Sequence, residues 1–324
     1  MHISLETVTG LAPAKLENLR ATRYRAEEQA VDLGALGAEN APIVVSLYAF
    51  LSELAALVGG DRDVEDPAPL LAFLARHDMG DLLLRLRRLR ADGADPHIAE
   101  ALHDIRGGAM TALFVQLARL ERTPYRAEMA RALHIYTRDH MKMMRNVVKD
   151  IDPPARARDV APLAHSLDDL ARALSEFTAT VDGQQVLVDV SCSGAAVIAD
   201  SCVECSALDR VAYNVLNNAA RHADSPRVAA SLVVLESDLR VAVANSISQE
   251  QRDVLEELLA RDPDALFGSF TTSGSGYGLR IVSELVGRAY GVETTDALTR
   301  GGYVGAKLVD EGLVGWFHWP LSGA

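Results

Sequence analysis

The segment Asn214-Val215-Leu216-Asn217-Asn218-Ala219-Ala220-Arg221-His222-Ala223 places two carboxamides four residues apart. Around it the apolar residues Leu208, Val211, Val215, Leu216 and Ala219 recur at helical spacing, so the amides of Asn214 and Asn218 project from one helix face. Two neutral oxygens so arranged suit a hydrated Mg2+ on a nucleotide triphosphate, and Arg221 is placed to meet a phosphate oxygen. Downstream, Phe267-Gly268-Ser269-Phe270-Thr271-Thr272 leads into Gly274-Ser275-Gly276-Tyr277-Gly278-Leu279. Such a glycine cluster alone makes an ordinary turn. Ahead of a helical run from Tyr277 to Tyr290, Gly274, Gly276 and Gly278 let backbone N–H groups approach phosphates at a helix start, where the dipole favours anions.

A third group lies upstream, in Leu102-His103-Asp104-Ile105-Arg106-Gly107-Gly108. Asp95-Pro96 supplies an N-cap and a first-turn proline. Apolar residues then recur at Ile98, Leu102, Ile105, Ala109, Leu113 and Leu120, which predicts one helix with His103 partly exposed beside its stripe. Thr123-Pro124 breaks the run, and a second helix follows with Met129, Leu133, Tyr136, His140, Met141, Met144 and Val148 on one side. A two-helix hairpin cannot bury both its faces alone. Pairing with a second copy gives a four-helix bundle, so a homodimer is expected.

These residues resemble the N box, F box and second glycine box of the ATP-binding domain shared by histidine kinases, gyrase, Hsp90 and MutL. The residues around His103 resemble the phosphoacceptor box of histidine kinases, where His is followed by an acid. The resemblance covers residues 95 to 320. It implies ATP and Mg2+ as cofactors, with Asn214, Asn218, Arg221, Asn245, Gly274, Gly276, Gly278 and Leu279 at the nucleotide and Asn218 on the metal. It further implies that His103 takes the γ-phosphoryl group, that Asp104 accepts a proton or hydrogen bond during attack, and that an aspartate on a response-regulator receiver domain is the next acceptor. Two positions depart from the pattern. Asn245 stands where the family usually has the Asp that meets adenine, so a neutral amide replaces a carboxylate; Gly107 stands where many members carry the Thr or Asn used to remove phosphate from a partner. The rival readings are a histidine phosphotransferase or relay protein whose degenerate ATP domain does not hydrolyse ATP, and a serine-kinase anti-sigma factor, which has no need of the hairpin carrying His103.

The remainder of the chain is consistent with this. A net charge of −13 from 32 basic and 45 acidic residues argues against a nucleic-acid partner. The basic run Arg85, Arg87, Arg88, Arg90 reads as the solvated side of an amphipathic helix. Residues 41 to 60 approach the length of a membrane span but are interrupted by Pro42, Ser46, Ser52 and Glu53 and flanked by acids, so a buried helix is expected and no membrane span. No secretory signal is visible, and with only three cysteines a reducing cytoplasm fits; Cys202 and Cys205 read as small half-buried hydrophobes. Helices are predicted over 14–33, 43–58, 67–77 and 81–91, then the hairpin, then after Pro153-Pro154 a helix over 161–177 and strands over 185–190, 195–198, 228–235, 239–245, 303–309 and 313–320. The expected architecture is multidomain: an all-α N-terminal region (1–94) of unknown role, a helical-hairpin dimerisation domain (95–152), and an α+β sandwich ATP-binding domain (153–324).

Overall fold

The computed structural model describes residues 4–13, 15–20, 30–59, 66–89, 95–107, 109–122, 124–125, 127–177, 179–181, 184–262, 265–267, 277–310 and 312–321. In chain order the helices of the first half are α1 (Leu5–Thr9), α2 (Gly37–Val58), α3 (Ala68–Arg76), α4 (Met79–Arg88), α5 (Pro96–Arg106), α6 (Ala109–Arg122), α7 (Ala127–Val147) and α8 (Pro153–Asp159). The second half runs β1 (Pro162–Ser166), α9 (Leu167–Ser175), β2 (Ala179–Val181), β3 (Gln184–Ser193), β4 (Val197–Ser201), α10 (Cys202–Arg221), β5 (Arg227–Val234), β6 (Asp238–Ser246), α11 (Gln249–Arg261), α12 (Tyr277–Tyr290), α13 (Thr295–Arg300), β7 (Val304–Val309) and β8 (Gly312–Pro320).

The chain forms two compact units, and their boundaries differ from the expected division. Residues 26–161 are one unit, whereas residues 1–25 belong with 162–324. Burial explains both assignments. In the helical unit Leu47, Leu51 and Leu54 of α2, Leu70 and Phe73 of α3, and Leu82 and Leu86 of α4 share one core with Leu102, Ile105, Leu113, Leu117, Leu133 and Met144 of the hairpin helices. A boundary at 94/95 would cut that core. The stripe expected to seek a second copy is therefore covered within one chain by the helices that precede it.

Two helices differ from expectation here. The single helix predicted from Ile98 to Leu120 is split into α5 and α6 at Gly107, whose N–H closes α5 on the carbonyls of His103 and Asp104. The glycine pair there lowers the cost of leaving the helix. The helix predicted over 14–33 does not form at residues 15–20 or at 30–32; Val31 instead makes a parallel bridge to Val148. Helix α2 is, among the described residues, long and apolar enough to cross a membrane, but its face at Val44, Leu47, Leu51, Leu54 and Val58 is built into the helical core.

The second unit carries a sheet in the order β2-β3-β5-β6-β8-β7, with β3 and β5 parallel and the other neighbours antiparallel; β1 and β4 pair separately. The segment 161–177, predicted as one helix, begins as strand β1, and a Ser166/Asp169 capping box starts α9 only afterwards. Helices α9, α10 and α12 lie against the sheet. On β5, β6 and β8 the cross-strand rows Ala229–Ala244–Val314 and Ser231–Ala242–Trp316 face the other way, where Val8 of α1 closes a second small core with Ala229, Val233, Ala242, Ala244, Val314 and Trp316.

At the edge pair, Gly305 lies opposite Trp316, and a Cβ on Gly305 would fall 2.2 Å from Cζ2 of that ring. Substituting Gly305→Ala must displace the indole, which also donates from Nε1 to the Gly302 carbonyl at 3.2 Å. A loss of about 1–3 kcal/mol of stability is expected for this unit, read from chemical denaturation followed by tryptophan fluorescence.

Candidate functional site

Helix α10 starts where Ser201 accepts a hydrogen bond from the Glu204 N–H at 3.2 Å, and it seats Val203, Ala207, Leu208, Val211, Val215, Leu216 and Ala220 in the buried interior. That leaves Asn214 and Asn218 half-buried along its flank and Arg221 exposed at its end. The Asn214 amide is fixed because Nδ2 donates to the Arg210 carbonyl at 2.8 Å. Its Oδ1 faces the start of α12, where a Cβ on Gly278 would lie 3.2 Å from it. A glycine lets the two helices approach there without crowding the amide oxygen. Leu279 sits half-buried in the first turn of α12. Gly274 and Gly276 lie outside the described residues, as do residues 268–272. Phe267, described and fully buried, is tied to α12 by its carbonyl, which accepts from Ser283 Oγ at 3.1 Å.

Asn245 closes the group from the sheet side. It is 2% exposed near the end of β6, and its Nδ2 donates to the carbonyls of His222 at 3.3 Å and Ser246 at 3.1 Å. With both amide protons committed, Oδ1 is the atom left to accept from a ligand, as an adenine amino group would require. The loop from α10 to β5 is laced to the same strand end by Asp224 N–H to the Ser246 carbonyl at 3.0 Å and by Ser246 Oγ to Ser225 Oγ at 3.0 Å. His222, beside Asn245, is held below the usual imidazole range by burial and by the charge of Arg221. The described positions Asn214, Asn218, Arg221, Asn245, Gly278 and Leu279 thus come together at one end of this unit, on α10, β6 and α12. The residue types present fit Mg-ATP: Asn214, Asn218 and Asn245 offer neutral oxygens, Arg221 a cation at a helix end, and Gly278 leaves space that a larger residue would fill.

In the helical unit, His103 occupies the last turn of α5, half-buried, with Nδ1 3.5 Å from Oδ1 of Asp104. Asp104 itself is buried. Arg106 fixes the end of α5 by donating to the carbonyls of Leu102 at 3.3 Å and Leu89 at 3.1 Å. His140, placed by the sequence on the apolar side of its helix with no motif around it, is buried there. Its ring is 1% exposed and lies against the Ile105 backbone without a well-formed hydrogen bond. No disulfide forms among the described cysteines, Cys192 being exposed and Cys202 and Cys205 half-buried.

Residues 205–320 match the model of the histidine kinase-, DNA gyrase B- and HSP90-like ATPase family, a span containing every residue of the candidate nucleotide site. This part of the chain is similar to the ATPase domain of that family. None of the curated proteins matches the chain. Solved structures similar to it include full-length ShkA in complex with AMPPNP (19% identity, 66% of this chain and 44% of that one, TM-score 0.35). Others are histidine kinase ThkA in complex with response regulator protein TrrA (16% identity, 76% and 68%, TM-score 0.31) and the histidine kinase domain of the blue-light activated histidine kinase from Erythrobacter litoralis (17% identity, 74% and 94%, TM-score 0.31). The chain spans less than half the length of ShkA.

Burial holds the His140 ring neutral by pushing its pKa from 6.5 to about 4. The unfolded chain takes up a proton near pH 6.5 while the folded one does not until near pH 4, so this stability is fully present above pH 6.5 and falls as the pH drops between those values. His140→Met should reduce the pH slope of unfolding free energy in that window by up to about 1.4 kcal/mol per pH unit, measured by urea titrations at stepped pH.

Proposed function

We propose that the protein is a histidine protein kinase that phosphorylates its own His103 from Mg-ATP and passes the phosphoryl group to an aspartate on a response-regulator receiver domain. The observations that support this reading are the approach of Gly278 to Asn214 and of Asn245 to His222 at the end of α10, within the span that matches the ATPase family, in a chain that also bears His103-Asp104 on a helix. The bound metal would neutralise phosphate charge. For the protein's part, Asn218 offers the metal a neutral oxygen, Arg221 a cation to a phosphate, and Asn245 Oδ1 an acceptor to adenine. With Nδ1 of His103 turned to Asp104, Nε2 is the nitrogen that attacks. The P–O bond to the leaving diphosphate breaks as the N–P bond forms, and the Nδ1 proton stays hydrogen-bonded toward the Asp104 carboxylate until it is released to solvent.

The protein is proposed to be cytoplasmic. A homodimer is proposed only through a surface outside the core already filled by α2 to α7. Light scattering near twice 34.9 kDa supports it and a mass near 34.9 kDa rejects it.

Incubation with γ-labelled ATP and Mg2+ should give an acid-labile, base-stable phosphoprotein, and His103→Gln should bind nucleotide yet take up no label. Asn218→Ala should abolish Mg-ATP binding in calorimetry, while Asn245→Asp should keep or improve it, because a charged acceptor makes the stronger hydrogen bond. Absence of binding by the wild type at millimolar Mg-ATP would replace the kinase reading with that of a relay protein whose ATP domain is degenerate. The neutral Asn245 is the residue that favours this second reading.

A further inference from the structure

Arg240 of β6 is fully buried, and its guanidinium is turned away from the nucleotide site. Nε donates to Nε2 of His318 at 2.9 Å. Nη1 donates to the carbonyls of Val8 and Thr9 at 2.6 and 2.9 Å, and Nη2 to those of Ala12 and Pro13 at 2.8 and 2.5 Å. All five N–H groups of the side chain are used, four of them on a segment more than two hundred residues away in sequence. His318 can accept because burial and the charge of Arg240 push its pKa down to about 3, keeping the ring neutral.

The same segment continues to the far end of α12. Leu16 N–H reaches Oδ2 of buried Asp238 at 3.4 Å, while Oδ1 of that carboxylate accepts from the Tyr290 hydroxyl at 2.5 Å. Leu19 N–H donates to the Tyr290 carbonyl at 2.8 Å, and Arg20 Nη1 to that of Arg288 at 2.5 Å. Tyr303 donates its hydroxyl to the Glu17 carbonyl at 2.7 Å. These donors cap carbonyls that the C-terminus of α12 cannot satisfy itself, and the Arg20 charge suits that end of the helix dipole. The segment passes directly over Gly291 (φ +77), where a Cβ would lie 3.0 Å from Arg20 Cγ. From here the chain enters the helical unit, which it leaves at 161/162. That unit is inserted into the ATPase unit and joined to it by two covalent connections.

We propose that residues 4–13 and 15–20 are a strap that regulates the nucleotide site: the strap grips the sheet at Arg240, caps the C-terminus of α12, and so sets the position of the helix whose first turn places Gly278 against Asn214. The link to nucleotide rests on the reading of the site given above; the link between strap and helix does not.

Amide hydrogen exchange of the full chain tests the second link. Arg240→Lys keeps the charge but cannot span four carbonyls. It should raise exchange at least about fivefold both in residues 5–19 and in 277–290, with α10 still protected as evidence of an intact fold. Faster exchange in the strap with wild-type protection of α12 overturns the proposal. Should Arg240→Lys fail to fold, Arg20→Ala decides: it leaves the clamp in place, and unchanged exchange over 286–291 overturns the capping role. For the first link, calorimetry should show at least about a fivefold change in the Mg-ATP dissociation constant of Arg240→Lys. Unchanged affinity despite faster exchange in α12 removes the regulatory claim, whereas a wild type that binds no Mg-ATP removes the nucleotide reading and leaves the exchange result to judge the strap.

Discussion

The ATPase unit depends on burying a guanidinium in the middle of its sheet. Strand β6 is covered on both sides, by helices where Val241 and Val243 point and by the N-terminal strap where Ala242 and Ala244 point. A desolvated charge there is tolerable only if its hydrogen-bonding capacity is filled and an opposite charge is near. The strap carbonyls and His318 meet the first condition, and Asp238, two residues along the same strand, meets the second. The side chains beneath the strap are small for a related reason. Ala229, Ala242 and Ala244 let α1 and the following residues lie close enough for their carbonyls to reach Arg240. The opposite end of β6 holds Asn245, so one strand carries both the anchor of the strap and a residue of the candidate nucleotide site.

The helical unit is stabilised by a different mixture. Its apolar core runs through α2 to α7, and beside it a polar network links α2 to the final helix: Arg145 donates to Asp159 at 2.5 Å and to the Tyr48 hydroxyl at 3.0 Å, and that hydroxyl donates to Asp152 at 2.8 Å. Burial pushes the Tyr48 pKa up to about 12, so the hydroxyl stays a donor to the carboxylate. Asp152 also accepts from the Ala155 N–H at 3.1 Å to start α8, the last turn of chain before the unit ends. The network thus ties α8 to α2 and α7 within this unit. His103 lies on the short helix that Gly107 cuts off.

Much of this was legible from residue order alone. The Asn box and the glycine-box helix were readable because amides at a four-residue spacing and glycines ahead of an apolar run are local patterns. The strands over 228–235, 239–245, 303–309 and 313–320 were readable as short apolar runs, and each lies within a residue or so of β5 to β8. Strand β1 was not, because Pro162–Ser166 takes its conformation from pairing with β4 and has no such run of its own. Helix α11 was not predicted because its outward charges outnumber its single buried leucine, Leu258, although Ser248 and Gln251 form a capping box at its start.

By itself the sequence pointed to an ATP-binding domain after residue 153, to candidate residues for its site, and to the helical character of the segment around His103, since each follows from a motif or period contained in a short stretch of chain. Only the tertiary structure decided that residues 4–20 belong with a sheet more than two hundred residues downstream, that Arg240 is a buried clamp rather than an exposed strand residue, that helices α2 to α4 fill the face of the hairpin, and that His140 sits dry against Ile105. The reason is physical. An arginine, a histidine or an apolar stripe has no fixed meaning until the surface that covers it is known, and that surface comes from parts of the chain that local pattern does not connect.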